Sequence, residues 1–374
     1  MELPCLAFHR CGRSTPLFSA PEQKRITAAG DMEEILKGKV VCPTAQGHLL
    51  VRDPATAATF LCDPRNGDKT HLPPLRGVED SVLVDSHCLL SGEPASPGCV
   101  VLLVEPDDTS IWYVRPGDDD RWVKHDYDIG TMVLDYDEGL QEKEVICPMA
   151  ACRGKFYFNS LGTELGVLEF CPGPVFSSIE IDDTIAADGS YGCEDGGKPR
   201  DVHLVESDGE LYMVNLLCTN TRRDRIYGAS VHRMDFAEGR WRKVKDLGGR
   251  VFLLSLFYFG ASCSDGGGGH GLRKDCVYMV YPVKKAMLVF DVKEGTIEMR
   301  NLDDEVPASD KAFWVLPTNC EEQGIYVFCF QLFFVMFIFS LRPHGVAAFF
   351  CKKGIAQISL PSSNEITKSQ ELPA

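Results

Sequence analysis

The chain has no basic stripe: its Lys and Arg are scattered, and its formal net charge is −16. Nucleic-acid backbones are held by clustered positive charge, so no nucleic-acid partner is expected. The opening Met1-Glu2-Leu3-Pro4-Cys5 lacks a basic segment followed by an apolar one, and no secretory leader is expected from it. Asn-x-Ser/Thr acceptors for glycosylation are absent. So are His-Glu-x-x-His and Gly-x-Ser-x-Gly, which removes two well-marked hydrolase signatures. Before residue 320 there is no convincing amphipathic helix, which leaves short strands as the building material.

Cysteine is plentiful, at 16 residues, but it lacks the pattern of a disulfide framework. The residues lie singly inside apolar runs, as in Phe60-Leu61-Cys62, Cys99-Val100 and Cys276-Val277. Free cysteine packs as a small hydrophobe, so a reduced core and an intracellular location, cytoplasmic or nuclear, are expected. The 34 glycines and 22 prolines recur between short apolar runs, which suits many strands joined by tight turns.

What is there is a repeated unit of strands. The first copy runs Gly47-His48-Leu49-Leu50-Val51, then Thr59-Phe60-Leu61-Cys62-Asp63-Pro64, a turn at Asn66-Gly67 expected to be type I′, and Lys69-Thr70-His71-Leu72-Pro73. Further copies lead with Cys99–Val104, Gly154–Phe158, Val202–Val205 and Cys276–Tyr281. The fourth has Asp208-Gly209 as a strong hairpin signal, and turns at Glu238-Gly239. The fifth turns at Glu294-Gly295. Lead strands recur roughly every 50 to 65 residues, slightly longer than a kelch blade. A sheet of three or four strands cannot cover its own faces, so the copies must stack radially. The expectation is an all-β propeller of six or seven blades of mostly four-stranded antiparallel sheets. Leu3–His9 and Leu17-Phe18-Ser19 are expected to close the ring with strands from the far end of the chain.

Several of these runs carry a resemblance. Gly47–Pro54, Phe60–Gly67, Leu72-Pro73, Trp122–His125, Cys152–Tyr157, Leu204–Ser207, Tyr212-Met213-Val214, Met234-Asp235-Phe236 and Leu247-Gly248-Gly249-Arg250 resemble the plant KIB-type β-propeller family, also catalogued as domain of unknown function 295. The resemblance spans residues 3 to 318 and implies a propeller over 1–318 and a divergent tail over 319–374. It also implies a substrate-receptor module. Many members carry an F-box that docks on a Skp1-like adaptor of a ubiquitin ligase, while the propeller presents a target. Strands from residue 3 leave no room for a three-helix F-box in this chain, so adaptor docking is not expected.

Candidate chemistry is sparse. Gly266-Gly267-Gly268-Gly269-His270-Gly271 lacks the Lys-Ser/Thr of a phosphate loop and reads as a flexible connection. Asp107-Asp108, Asp118-Asp119-Asp120 and Asp182-Asp183 lack calcium-loop spacing and read as solvated hairpin tips. Cys5, His9 and Cys11, and Cys147 with Cys152, each fall short of the two tight pairs of a structural zinc site. Trp112, Trp122 and Trp241 suggest sugar stacking, but the recurrence of Trp122 and Trp241 at one place in the repeat fits packing between blades better. His48 and Lys155 begin strands without a matching set from successive blades. No catalytic, metal or cofactor-binding residue is therefore expected, no cofactor is implied, and the binding residues stay unassigned.

Near the C-terminus, Ile325–Leu341 contains Gln331 and Ser340 as its only polar residues apart from Tyr326, and Arg342-Pro343 ends it. As a helix it would reach about 26 Å, just short of a hydrocarbon core. A membrane anchor, a buried packed segment and a gene-model artefact are the alternatives for it. The expected function is a non-catalytic protein-interaction module with a protein partner or target. The alternatives are a metal-dependent propeller hydrolase, which needs carboxylate, amide and His side chains converging on the channel, and a glycan-binding propeller.

Overall fold

Successive side chains on a strand point to opposite faces of its sheet, and on the inner strands of this chain both faces are covered. The computed structural model describes residues 3–8, 15–22, 24–26, 34–133, 141–158, 163–182, 200–218, 226–255, 259–264, 271–281, 285–302 and 311–316, and the backbone of 348–351 and 354–357. Strands β1 (Cys5–Phe8), β2 (Leu17–Ser19) and β3 (Lys24–Arg25) open the chain. A second sheet holds β4 (Val40–Pro43), β5 (Leu49–Arg52), β6 (Thr59–Cys62) and β7 (Lys69–Leu72). The short helix α1 (Asp80–Asp85) leads into β8 (His87–Leu90), β9 (Val101–Val104), β10 (Ser110–Val114) and β11 (Val123–Asp126). A two-stranded ribbon, β12 (Thr131–Val133) with β13 (Gln141–Lys143), precedes β14 (Met149–Cys152), β15 (Lys155–Phe158), β16 (Glu164–Phe170) and β17 (Pro174–Glu180). Next come β18 (Arg200–Ser207), β19 (Glu210–Cys218), β20 (Ile226–Asp235) and β21 (Arg240–Lys243). The last sheet holds β22 (Val251–Ser255), β23 (Gly260–Cys263), β24 (Cys276–Tyr281), β25 (Ala286–Asp291) and β26 (Thr296–Asn301). Finally β27 (Ala312–Val315) pairs with β1, so strands from the two ends of the propeller segment complete one blade, as expected.

The result is a six-bladed propeller of antiparallel sheets, four strands each except the sixth. Blade 1 is β27-β1-β2-β3, and blades 2 to 6 follow in chain order. Inner strands adjoin in turn around the ring: β4 by β8, β8 by β14, β14 by β18, β18 by β23, and β27 by β22 and β4. Blade 6 departs from the expected pattern. It has five strands in the order β23-β22-β24-β25-β26, and β22 runs parallel to β24.

The core lies between the blades. Along β9, Val101 and Leu103 face blade 2 while Leu102 and Val104 face blade 4. Along β24, Cys276, Tyr278 and Val280 enter one interblade core and Val277, Met279 and Tyr281 the other. Both sides of each inner strand are thus covered, and the strands read as continuous apolar runs. Buried cysteines such as Cys5, Cys42, Cys62, Cys88 and Cys276 belong to these cores. One glycine is fixed by this packing: a Cβ on Gly166 would lie 2.2 Å from the ring of Phe158, its cross-strand partner.

In blades 2, 5 and 6 the turn into the outermost strand uses aspartate. Asp63 Oδ1 accepts from the amide of Arg65, Asp235 Oδ1 from those of Ala237 and Glu238, and Asp291 Oδ1 from those of Lys293 and Glu294. Four residues after each aspartate a glycine takes positive φ: Gly67 (77°), Gly239 (61°) and Gly295 (67°). This corrects the expected turn at Asn66-Gly67. Asn66 does not have positive φ, so the turn is not type I′ but an Asp-capped loop in which the Gly67 amide donates to the Asp63 carbonyl at 2.8 Å. Two-residue turns with both φ positive occur instead at Asp208-Gly209 and Arg153-Gly154.

The propeller segment lies in one compact unit, Met1–Asn319, and Cys320–Ala374 forms a second. In the second unit β28 (Ala348–Cys351) pairs with β29 (Gly354–Gln357) as a hairpin. Residues 325–341 lie outside the described residues. Among those described, no helix is long and apolar enough to cross a membrane.

Candidate functional site

Alternating strand direction separates the connections into two sets. First-to-second and third-to-fourth connections lie at one end of the propeller, such as 63–68, 153–154, 171–173, 208–209, 236–239 and 292–295. Second-to-third and most blade-to-blade connections leave from the other, such as those that follow Arg25, Leu72, Asp126 and Glu180. The first end is closed mainly by short turns, with the longer loops 91–100 and 115–122 beside them. The second carries the longer connections, and binding residues concentrate on such segments when a rigid scaffold holds them.

Side chains from the blades fix the described parts of this second end. Arg52, the last residue of β5, is only 4% exposed. Its guanidinium donates to the carbonyls of Val78 (2.7 Å) and Leu75 (3.4 Å) and pairs with Asp80. Thr59 Oγ1 accepts from the Leu75 amide at 3.1 Å, so β5 and β6 together hold the segment 73–80. Asp85, at the end of α1, pairs with Lys311 just before β27, which links the entry strands of blades 3 and 1. The ribbon is clamped at its base. Tyr127 donates its hydroxyl to the Asp108 carbonyl (3.1 Å) and accepts from the Ile146 amide (3.2 Å), so one side chain ties both ends of the segment. Burial pushes the Tyr127 hydroxyl up to about 12, and it stays a neutral donor. Above this base Gln141, Glu142 and Lys143 are exposed.

A cleft of about 550 Å³ opens on blade 2 under the same end, with Ile35, Lys39, Asp53, Phe60, Lys69 and His71 among its lining residues. Asp53 is held down at about 2, first by the hydrogen bond from Lys39 and then by the amides of Thr56 and Ala55. Lys69 stands 4.9 Å from the centroid of the Phe60 ring. The acid and one of the two lysines therefore neutralise each other inside the cleft.

The residues singled out from the sequence fall apart in space. Trp122 and Trp241 are buried in interblade cores, and Trp122 donates to the Pro73 carbonyl at 2.9 Å. Neither presents a face to a sugar. Trp112 is half-buried, with Lys124 5.9 Å from its ring centroid. Asp108 is used locally by Thr109 and Ser110, and Asp119 by the Arg115 amide. Cys152 donates its thiol to the Gly209 carbonyl at 3.4 Å, and burial raises both Cys147 and Cys152 to about 12. Among the described residues no group of three or more His, Cys, Asp or Glu is placed to hold a metal. His9, Cys11, Asp183 and Gly266–His270 lie outside the described residues; Cys5 is in β1. His48 is buried in blade 2, while Lys155 pairs with Glu169 at 2.8 Å in blade 4, so the two do not converge. On the inner strands the described titratable side chains other than cysteine are His87, Asp201, His203 and Glu206, with Asp201 and His203 3.6 Å apart.

Sequence reasoning missed Arg52, Asp80 and Tyr127. Arg52 was visible as one residue in a matched run, and nothing in the local pattern announces a buried guanidinium.

Comparison with known proteins adds three findings. The model of the KIB1-4 beta-propeller family matches residues 17–312. No curated protein matches the chain. Among solved structures, the hydrazine synthase of Kuenenia stuttgartiensis is 13% identical at a TM-score of 0.30, with 71% of this chain and 66% of that one covered. This chain thus spans just under two thirds of that structure's length. Apo AztD from Citrobacter koseri is 8% identical at a TM-score of 0.32, with 83% of this chain and 99% of that one covered.

Proposed function

Since the chain belongs to the KIB1-4 β-propeller family, we propose that it is a non-catalytic protein-interaction module that holds a target protein on the end carrying the long connections. The role is that of a target-holding receptor, similar to the substrate-receptor propellers of plant F-box proteins. One observation carries the reading: exposed segments at this end are anchored to the blades by buried side chains. Arg52 fixes 73–80 and Tyr127 fixes both feet of the ribbon. Fixed segments lose little freedom on binding, so contact energy is not spent on ordering them.

The exposed side chains there include Arg76, Glu79, Asp126, Asp128, Glu142 and Lys143, with acids in the majority. A target with a basic contact surface fits this composition, since opposite charge speeds encounter and fixes register. The test is affinity purification with quantitative mass spectrometry of the full chain and two charge-reversal variants. Asp126→Lys/Glu142→Lys alters the long-connection end, and Asp118→Lys/Glu294→Lys alters the other. The first variant should lose the captured target by at least about ten-fold and the second should keep it. Equal retention by both would overturn the assignment of the binding end.

A further inference from the structure

A second cleft, of about 390 Å³, lies between blades 5 and 6 toward the tight-turn end. Its lining includes Tyr212, Arg233, Lys245, Asp246, Arg250 and Asp208. Residues of two of the runs singled out in the sequence, Tyr212-Met213-Val214 and Leu247-Gly248-Gly249-Arg250, meet there. In a chain of net charge −16 three cations share this one cleft. Arg250 pairs with Asp208, but among the described residues Arg233 and Lys245 form no ion pair and the Tyr212 hydroxyl has no hydrogen-bond partner. Each of those three groups can donate a hydrogen bond, and two of them carry positive charge.

The frame around them is fixed. Arg233 stands in register between Tyr212 and Arg242 on the sheet of blade 5. Arg242 is itself engaged by Asp235 at 2.6 Å, so Arg233 is left over. The segment 246–250 is tied down: Asp275 Oδ1 accepts from the amides of Leu247 (2.7 Å) and Gly249 (2.9 Å), and Asp246 Oδ1 from that of Gly248 (3.1 Å). Gly248 and Gly249 both take positive φ, at 66° and 79°, which sets the tight path of the loop. The Tyr212 ring packs edge-on against buried Phe252, with ring centroids 5.1 Å apart. Burial raises the Tyr212 hydroxyl above its usual range, against the opposing pull of Arg233 and Arg250, and so keeps the proton a donor needs.

We propose that this cleft binds the phosphate group of a phosphomonoester, with Arg233, Lys245 and the Tyr212 hydroxyl as its ligating donors. A phosphomonoester offers three acceptor oxygens and close to two negative charges at neutral pH, which matches two unpaired cations and a hydroxyl better than a single carboxylate does. The volume exceeds that of a phosphate group alone and leaves room for part of the group that carries it.

The test is isothermal titration of the full chain, at constant ionic strength, with inorganic phosphate, O-phosphoserine and O-phosphotyrosine. Each should bind saturably, and the phosphoamino acids should bind more tightly than inorganic phosphate if a side chain is the natural carrier. Inorganic phosphate binding as tightly as either would assign the site to free phosphate. In the Arg233→Gln/Lys245→Gln variant affinity should fall at least about ten-fold, because charge-assisted bonds are lost. Arg242→Gln, on the neighbouring engaged arginine, should leave affinity unchanged. All of these positions are exposed, and thermal melts would show that the variants fold. Absence of saturable binding by any of the three, or equal affinity of the double variant, would overturn the site.

Discussion

The two ends of the propeller solve the same problem in different ways. At the tight-turn end several loops are closed by a single aspartate and their own backbone, as at Asp63, Asp235 and Asp291. At the other end the longer connections are held from outside, by side chains that reach from the blades, as Arg52 and Tyr127 do. Local closure needs only a few neighbouring residues and leaves nothing to present. Anchoring from a distance fixes a segment at its base and leaves its outer face exposed. The division is not absolute, because Asp53 caps the short loop 53–58 at the long-connection end.

The difference predicts a graded series of effects. Arg52→Ala should cost the most, about 3 kcal/mol, since it removes a buried guanidinium and strands the carbonyls and carboxylate it served. Urea denaturation would measure this, and a cost below about 1 kcal/mol would mean that the segment 73–80 does not depend on the blade. At the tight-turn end, Asp275→Ala removes two short amide bonds and should cost about 2 kcal/mol by the same assay. Asp235→Ala and Asp291→Ala each remove one loop cap, and should cost about 1 kcal/mol apiece. Equal costs across this series would erase the distinction between local and distant anchoring.

Acid should act on Asp53. Its carboxyl is held at about 2, below its ordinary 3.8, chiefly by Lys39. A depressed pKa favours the fold above the unfolded value, and that contribution is lost as pH falls from about 4 towards 2. The stability gap between the native chain and Lys39→Gln should therefore narrow across that window in denaturation curves recorded by pH. A gap independent of pH would remove the ion pair from the account. Smallest of all, Glu142→Lys on the exposed ribbon should shift stability by no more than about 0.5 kcal/mol. A larger loss would mean that the ribbon supports the fold.

Legibility in the sequence follows burial. Outer strands keep exposed positions and follow Asp/Gly turns, so the runs Lys69–Pro73, Trp241–Val244 and Thr296–Met299 stood out and overlap the strands Lys69–Leu72, Arg240–Lys243 and Thr296–Asn301. Inner strands did not. Val40–Pro43, His87–Leu90, Met149–Cys152 and Gly260–Cys263 are four residues each and covered on both faces, so they have no alternation to read. Each first three of the recognised repeats was accordingly begun one strand late, at β5, β9 and β15. The extra strand β22 was invisible for the same reason: Val251–Ser255 is buried throughout. The clefts were less legible still. Tyr212, Arg233, Leu247–Arg250 and Asp275 are far apart in the chain, and only the pairing of β19 with β20 and the path of 244–250 bring them together.

Capture of a target on the long-connection end has a readout along the whole backbone. Amide hydrogen exchange of the chain with and without its captured partner tests it most directly. The account predicts added protection in 73–86 and 127–133 with 141–146, and none at the turns 236–239 and 292–295. Protection confined to those turns, with the long connections unchanged, would contradict it.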